Sequence, residues 1–190
     1  MAFPFIQNKT FSKSDFDQKS LEKGEYDNCT FTGCDFSEMD FSNFKFSDCV
    51  FENCNLSMVK VVKTALNDVR FVSCKLMGIR FETVNPFGLQ LKFDKCLMNH
   101  ASFLNVILRK TTFSHCKLIE VDFTQADLQQ SKFESCDLSG AMFYDCQLEQ
   151  CDFRTSTEIS LDPEKNRMKK SRFDSVAALR LLDKYQIIID

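Results

Sequence analysis

The chain has 190 residues with 21 Phe, 10 Cys, no Trp and a formal net charge of −3. That length is enough for one domain with a real core, and the overall charge balance argues against direct nucleic-acid binding. No apolar run approaches the ~20 residues needed to cross a bilayer, and Met1 to Ile6 lack the basic and long apolar regions of a secretory leader, so the expectation is a soluble cytoplasmic protein with no membrane partner.

Residues 1–10 read as a lead-in, with Ile6 already five places before Phe11. From Phe11 a large apolar residue returns every fifth position: Phe16, Leu21, Tyr26, Phe31, Phe36, Phe41, Phe46, Phe51, Leu56, Val61, Leu66, Phe71, Leu76 and Phe81. Neither a helical period of 3.6 nor a strand period of 2 gives this stride, so it is a repeat. The phase breaks between 85 and 90, at Asn85, Pro86, Phe87 and Gly88. The next firm centre, Phe93, stands twelve residues after Phe81, so two residues are inserted. Pro and Gly suit a turn or bulge that absorbs such a shift. The new phase runs Met98, Phe103, Leu108, Phe113, Leu118, Phe123, Leu128, Phe133, Leu138, Phe143, Leu148 and Phe153, which closes a repeat domain at 11–155.

Two places before most centres sits a small residue, such as Val121, Ala126 or Ser131; all ten cysteines fall in this slot. A free Cys behaves as a small buried hydrophobe, and no C-x2-C pair suggests zinc, so the cysteines read as packing and no metal or cofactor is expected. If each five-residue unit makes one side of a square coil, four units make a turn of 20 residues, and residues 20 apart stack as parallel strands ~4.8 Å apart. The expected fold is therefore an all-β solenoid, a quadrilateral parallel β-helix of about seven coils. Phe93, Phe113, Phe133 and Phe153 form one interior column, and Phe103, Phe123 and Phe143 another, with Leu or Met on the sides between. Lys19 and Phe44 in the small slot, and Val61 at a centre, are expected to weaken their units.

Residues 156–190 are expected to be a C-terminal cap and dimerisation segment. Ile159 to Phe173 reads as an irregular basic connection. Asp174 or Ser175 can cap a short α-helix running to about Tyr185, and Ile187–Ile189 suggest a terminal strand. Val176, Leu179, Leu181, Leu182, Tyr185 and Ile187 leave little polar surface on this segment. They are candidates both for covering the solenoid end and for a two-fold contact between copies.

Catalysis finds little support. The chain has no phosphate loop, no H-E-x-x-H and no nucleophile elbow. Its two histidines, His100 and His115, fall at outward positions of the coil, so the chain does not read as an enzyme. Charge along the chain is more informative. Residues 15–52 sum to −7, residues 60–117 to +7 and residues 118–153 to −7. The last band holds Glu120, Asp122, Asp127, Glu134, Asp137, Asp145, Glu149 and Asp152 against Lys132 alone. It spans about 9 Å of axis, over which duplex DNA carries about five charges. Such a surface can imitate DNA, and Glu120, Asp122, Asp127, Glu134, Asp137, Asp145 and Asp152 are its candidate residues.

Ala126-Asp127-Leu128-Gln129-Gln130 and Cys136-Asp137-Leu138-Ser139-Gly140 resemble the A(D/N)LXX unit of the pentapeptide-repeat family. The resemblance covers about residues 11–155 and implies a right-handed winding. Asp162-Pro163-Glu164, Lys169-Lys170-Ser171-Arg172-Phe173 and Leu181-Leu182-Asp183-Lys184-Tyr185 look like the tail of a subgroup that includes the Qnr quinolone-resistance proteins and the microcin immunity protein McbG. Asn85-Pro86-Phe87-Gly88 looks like their mid-rod interruption. This resemblance implies a non-enzymatic homodimer, joined at C-terminal ends, that binds DNA gyrase or topoisomerase IV by imitating duplex DNA and protects it from quinolones or peptide toxins. The unbroken register from Phe11 to Phe81 leaves no room for a long projecting loop of the kind many Qnr proteins carry. A general protein-binding scaffold of the same family is the alternative.

Overall fold

The computed structural model describes residues 3–16 and 20–188. Within them the chain forms short strands β1 (Phe5–Gln7), β2 (Thr10–Ser12), β3 (Glu25–Asp27), β4 (Thr30–Thr32), β5 (Lys45–Ser47), β6 (Val50–Glu52), β7 (Ala65–Asn67), β8 (Val69–Val72), β9 (Leu91–Asp94), β10 (Thr112–Ser114) and β11 (Lys132–Glu134), then helix α1 (Ser175–Arg180). The strand pairs are parallel, and Phe11 pairs with Phe31, Phe31 with Phe51 and Phe113 with Phe133. β1, β3, β5 and β7 make one sheet, and β2, β4, β6, β8, β9, β10 and β11 another. The two remaining sides are joined by single bridges, such as Asp35 to Asn55 to Lys75 and Ser102 to Asp122 to Met142. The fold is a parallel β-solenoid whose four sides are centred, in one coil, on Phe113, Leu118, Phe123 and Leu128. We call these the first to fourth sides.

A stride of five needs a turn at every corner, and the corner residues adopt left-handed backbone: Gln125 has φ 59°, Gln130 φ 62° and Gly140 φ 66°. For non-glycine residues this costs about 1–2 kcal/mol each. The corner N–H groups offset it by donating to the next coil, as Gln125 does to the Tyr144 carbonyl at 2.8 Å and Gln130 to that of Glu149 at 2.9 Å. At several sides an Asp, Asn or Ser before the centre accepts the N–H two residues on, closing the same corner; examples are Asp122 to Thr124 and Asp137 to Ser139.

Inside, one column of rings stacks through Phe93, Phe113, Phe133 and Phe153 at centroid spacings of 5.1, 4.9 and 4.8 Å. The opposite column stacks through Phe81, Phe103, Phe123 and Phe143 at 4.6, 5.3 and 5.1 Å. The two columns meet edge to face, with Phe103 and Phe113 6.0 Å apart at 83°. This is the low-energy aromatic geometry. The small slot also has a polar task that the composition did not reveal. Its side chain donates to the carbonyl of the preceding side's centre one coil back: the Cys54 thiol to Phe31 at 3.3 Å, Thr64 Oγ1 to Phe41 at 2.7 Å and Ser131 Oγ to Leu108 at 2.6 Å. Cys, Ser and Thr are favoured there because each is small and carries a donor.

The two-residue insertion lies where the phase break placed it. The register between β8 and β9 is Val69 to Leu91 and Phe71 to Phe93, an offset of 22 instead of 20. Asn85 Oδ1 accepts the Phe87 N–H at 3.0 Å, Leu89 packs on the core and Phe87 points outward, 82% exposed.

Several expectations change. The lead-in already winds, since β1 pairs with β3. Residues 159–173 are not wholly irregular. Gln147 bridges to Arg167, Asp152 to Arg172, and Phe173 stacks on Phe153 at 5.2 Å, so the winding continues past 155. The signal was hidden because Glu158 and Pro163 stand where the next two apolar centres would fall, although Asn166 and Ser171 still fill the small slot and donate to the Phe143 and Leu148 carbonyls. Helix α1 stops at Arg180 and is followed by a 3-10 turn, Asp183–Tyr185. Ile187 and Ile188 form no strand, and Ile189 lies outside the described residues, as does Lys19. Phe44 is accommodated in its coil: it is buried and stacks on Phe46 at 5.8 Å and Tyr26 at 6.3 Å. A void of about 20 Å³ lies beside Val61, lined also by Phe41, Leu56 and Leu66 among others.

Candidate functional site

The solenoid sorts the acidic band by side. Glu120 and Asp137 stand on the second side, Asp122 and Asp145 on the adjacent third. The other predicted carboxylates are elsewhere. Asp127 is on the fourth side, 5% exposed, and accepts from Arg109 Nε at 2.6 Å, so it does not face solvent as a free charge. Glu134 and Asp152 are on the first side. Asp152 is gripped by Arg154 through Nε at 2.9 Å and Nη2 at 2.7 Å. The hydrogen bond from Arg154 holds its carboxyl below the usual range. The stride of 20 is the cause: acids close in sequence but five apart are a quarter turn apart in space. The seven carboxylates are therefore a belt, of which Glu120, Asp122, Asp137 and Asp145 share adjoining sides.

A sorting that the linear bands concealed emerges in the C-terminal half. Residues 90–173 carry twelve acids and twelve bases. The second and third sides take seven of those acids and two bases, whereas the fourth and first take ten bases and five acids. Counting charges at a stride of 20 would have found this.

The tail is held to the rod by polar contacts. Asp174 caps α1 by accepting the Ala177 N–H at 2.7 Å. Arg180 Nη1 pairs with Glu158 at 2.9 Å, Lys184 Nζ with Asp162 at 2.5 Å and Glu164 at 3.0 Å, and Tyr185 donates to Glu164 at 2.6 Å. Lys184 lowers the Asp162 carboxyl, and Tyr185 then Lys184 lower that of Glu164. Ala177 is buried and Leu181 packs on the core, so Leu181 is turned toward its own rod and away from the predicted contact surface. Val176, Leu179, Leu182, Tyr185 and Ile187 remain exposed, joined by Ile188 at 89%. These apolar side chains are left uncovered by the described residues of the chain.

His100 lies 3.3 Å from Glu120 and His115 3.6 Å from Asp94, all on the surface. Among the described residues no group of three or more His, Cys, Asp or Glu is placed to hold a metal ion, and no helix is long and apolar enough to cross a membrane. All ten thiols are buried.

A family described as a pentapeptide repeat region matches residues 25–86 and 89–159, the gap falling on the inserted turn. No curated protein matches the sequence. Among solved structures, two trypsin-treated forms of QnrB1, described as a plasmid-mediated fluoroquinolone resistance protein, are similar at 18% identity. One has a TM-score of 0.67 with 100% of both chains covered, and the other 0.65 with 100% of this chain and 98% of that chain. HetL, described as involved in heterocyst differentiation regulation in Nostoc sp. strain PCC 7120, is similar at 14% identity and TM-score 0.50, covering 90% of this chain and 84% of its own. At these identities the likeness is one of fold.

Proposed function

Because the chain belongs to the pentapeptide-repeat family, we propose that it is a non-catalytic, homodimeric binder of a type II topoisomerase, DNA gyrase or topoisomerase IV, and that it acts by imitating duplex DNA. One observation carries this: Glu120, Asp122, Asp137 and Asp145 stand on two adjoining sides of a rigid rod within two coils. Four carboxylates over about 9 Å compare with about five charges on duplex DNA. The exposed strip Val176, Leu179, Leu182, Tyr185 and Ile187 would join two rods end to end and double that surface. The fold likeness over the whole chain to QnrB1, described as a fluoroquinolone resistance protein, supports this reading, and protection from quinolones or peptide toxins follows if the drug-poisoned complex is displaced.

The test is a gyrase supercoiling assay titrated with the protein, with and without a quinolone. Asp122 and Asp137 also close corners, so the diagnostic variant is Glu120→Lys, Asp145→Lys, Asp122→Asn and Asp137→Asn, which keeps the turn acceptors. Competition with DNA that weakens as salt rises, and is lost in this variant, is the expected result. Equal activity of the variant, or no gyrase effect at all, rejects the DNA-mimic role. A second role, a scaffold for another protein, is favoured by a rod without long loops among the described residues. Recovery of a non-topoisomerase partner with unchanged gyrase activity would select it.

A further inference from the structure

We propose that the first side of the rod, with its corner to the fourth, is a binding surface for the phosphodiester backbone of nucleic acid. A continuous file of in-register residues runs Arg70, Lys92, Thr112, Lys132, Asp152, Arg172. Six rungs, five steps of ~4.8 Å, make it about 24 Å long. Beside it the corner residues Lys110, Gln130, Gln150 and Lys170 form a second file, each with left-handed backbone that turns its side chain outward. Gln130, Lys132, Gln150, Asp152, Lys170 and Arg172 line one open groove between the files.

The side chains that line this groove are net positive, with Lys132, Lys170 and Arg172 against Asp152. Arg70, Lys110, Lys132, Lys170 and Arg172 have no ion-pair partner among the described residues, and Lys92 alone is paired, with Asp68 at 3.0 Å. The acid within the groove, Asp152, is neutralised by Arg154. Glu134 and Asp94 stand on the far edge, toward the acidic sides. Glu149 accepts from Gln129 at 3.3 Å on the fourth side. Whole-chain charge of −3 argues against a polyanion partner, but a partner about 20 Å wide meets one side only, and the opposite side lies beyond a Debye length of about 8 Å in part.

Phosphate is favoured over an acidic protein for a physical reason. Protein interfaces gain their energy from buried aromatic or aliphatic anchors. None of the exposed large apolar side chains stands on these two files. What the surface offers is cations and amides in a straight row, which suits sequence-independent backbone contact.

The test is fluorescence anisotropy with a labelled 20-base-pair duplex and the full-length protein alone. With three to five phosphates neutralised, the slope of log K against log salt is expected near −2.7 to −4.5, so affinity falls roughly 40- to 500-fold between 50 and 200 mM salt. Lys132→Gln, Lys170→Gln and Arg172→Gln together should flatten the slope by about 2.7 with the thermal melt unchanged; the matching Glu variants should lose binding more than tenfold. The Glu120/Asp145 reversals on the opposite sides should leave binding intact or raise it. No binding at 50 mM salt, no change in the Gln variant, or displacement of the duplex by polyglutamate at equal charge overturns the proposal.

Discussion

Phe103→Ala tests whether stacked rings hold the rod together. Phe103 is fully buried and touches four rings: Phe81 at 4.6 Å, Phe123 at 5.3 Å, Phe113 at 6.0 Å and Phe93 at 6.1 Å. Removing a buried phenyl ring costs about 3–5 kcal/mol through lost transfer energy and the cavity left behind. Each favourable ring pair adds about 0.5–1.5 kcal/mol, and the flanking coils are fixed by in-register hydrogen bonds, so collapse into the gap is restricted. The expected loss is therefore at the upper end, about 4–5 kcal/mol. Phe173, on the last rung, has one ring partner, Phe153 at 5.2 Å, and is partly exposed. Phe173→Ala should cost about 1–2 kcal/mol, because an end coil can fray. Guanidinium titrations followed by circular dichroism give both values. A loss under about 2 kcal/mol for Phe103→Ala, or equal losses at the two positions, would refute the stacked-column account.

Ser131→Ala removes the donor to Leu108 and the acceptor for the Thr111 N–H at 3.1 Å, and should cost about 1–3 kcal/mol, whereas Ser131→Cys, which restores a donor, should recover part of it in the same titration. Burial pushes the thiols of Cys49 and Cys151 up to about 12 and that of Cys146 up to about 11. They stay protonated in the fold while unfolded thiols ionise near 8.5, so their contribution is complete below that pH and is lost as pH rises toward 12, at about 1.4 kcal/mol per unit for each thiol. Urea midpoints at pH 7, 9 and 10 should fall in that order, and a thiol reagent should find no reactive cysteine until denaturant is added; a flat profile would contradict the burial. Leu179→Asp with Leu182→Asp should halve the mass seen by light scattering and leave the melting temperature nearly unchanged, whereas Leu181→Asp should lower the melting temperature; an unchanged mass in the double variant removes the proposed dimer contact.

The stride of five was sufficient to specify the solenoid, its 20-residue coil and the offset of two at 85–90, because every coil repeats the same local decision: a large side chain in, a small one beside it, a turn at the corner. That is why Phe113 over Phe133 could be placed from letters alone. What depended on the folded chain was anything that crosses from one side or one coil to another. Asp127 read as surface charge until Arg109, eighteen residues earlier, was seen to lie against it. Leu181 and Leu182 are neighbours in sequence, and only docking of the tail through Lys184, Asp162 and Glu164 decided which of them turns inward. Acidic and basic bands along the chain became acidic and basic sides of the rod, since winding places residues five apart a quarter turn from each other and residues twenty apart in one file.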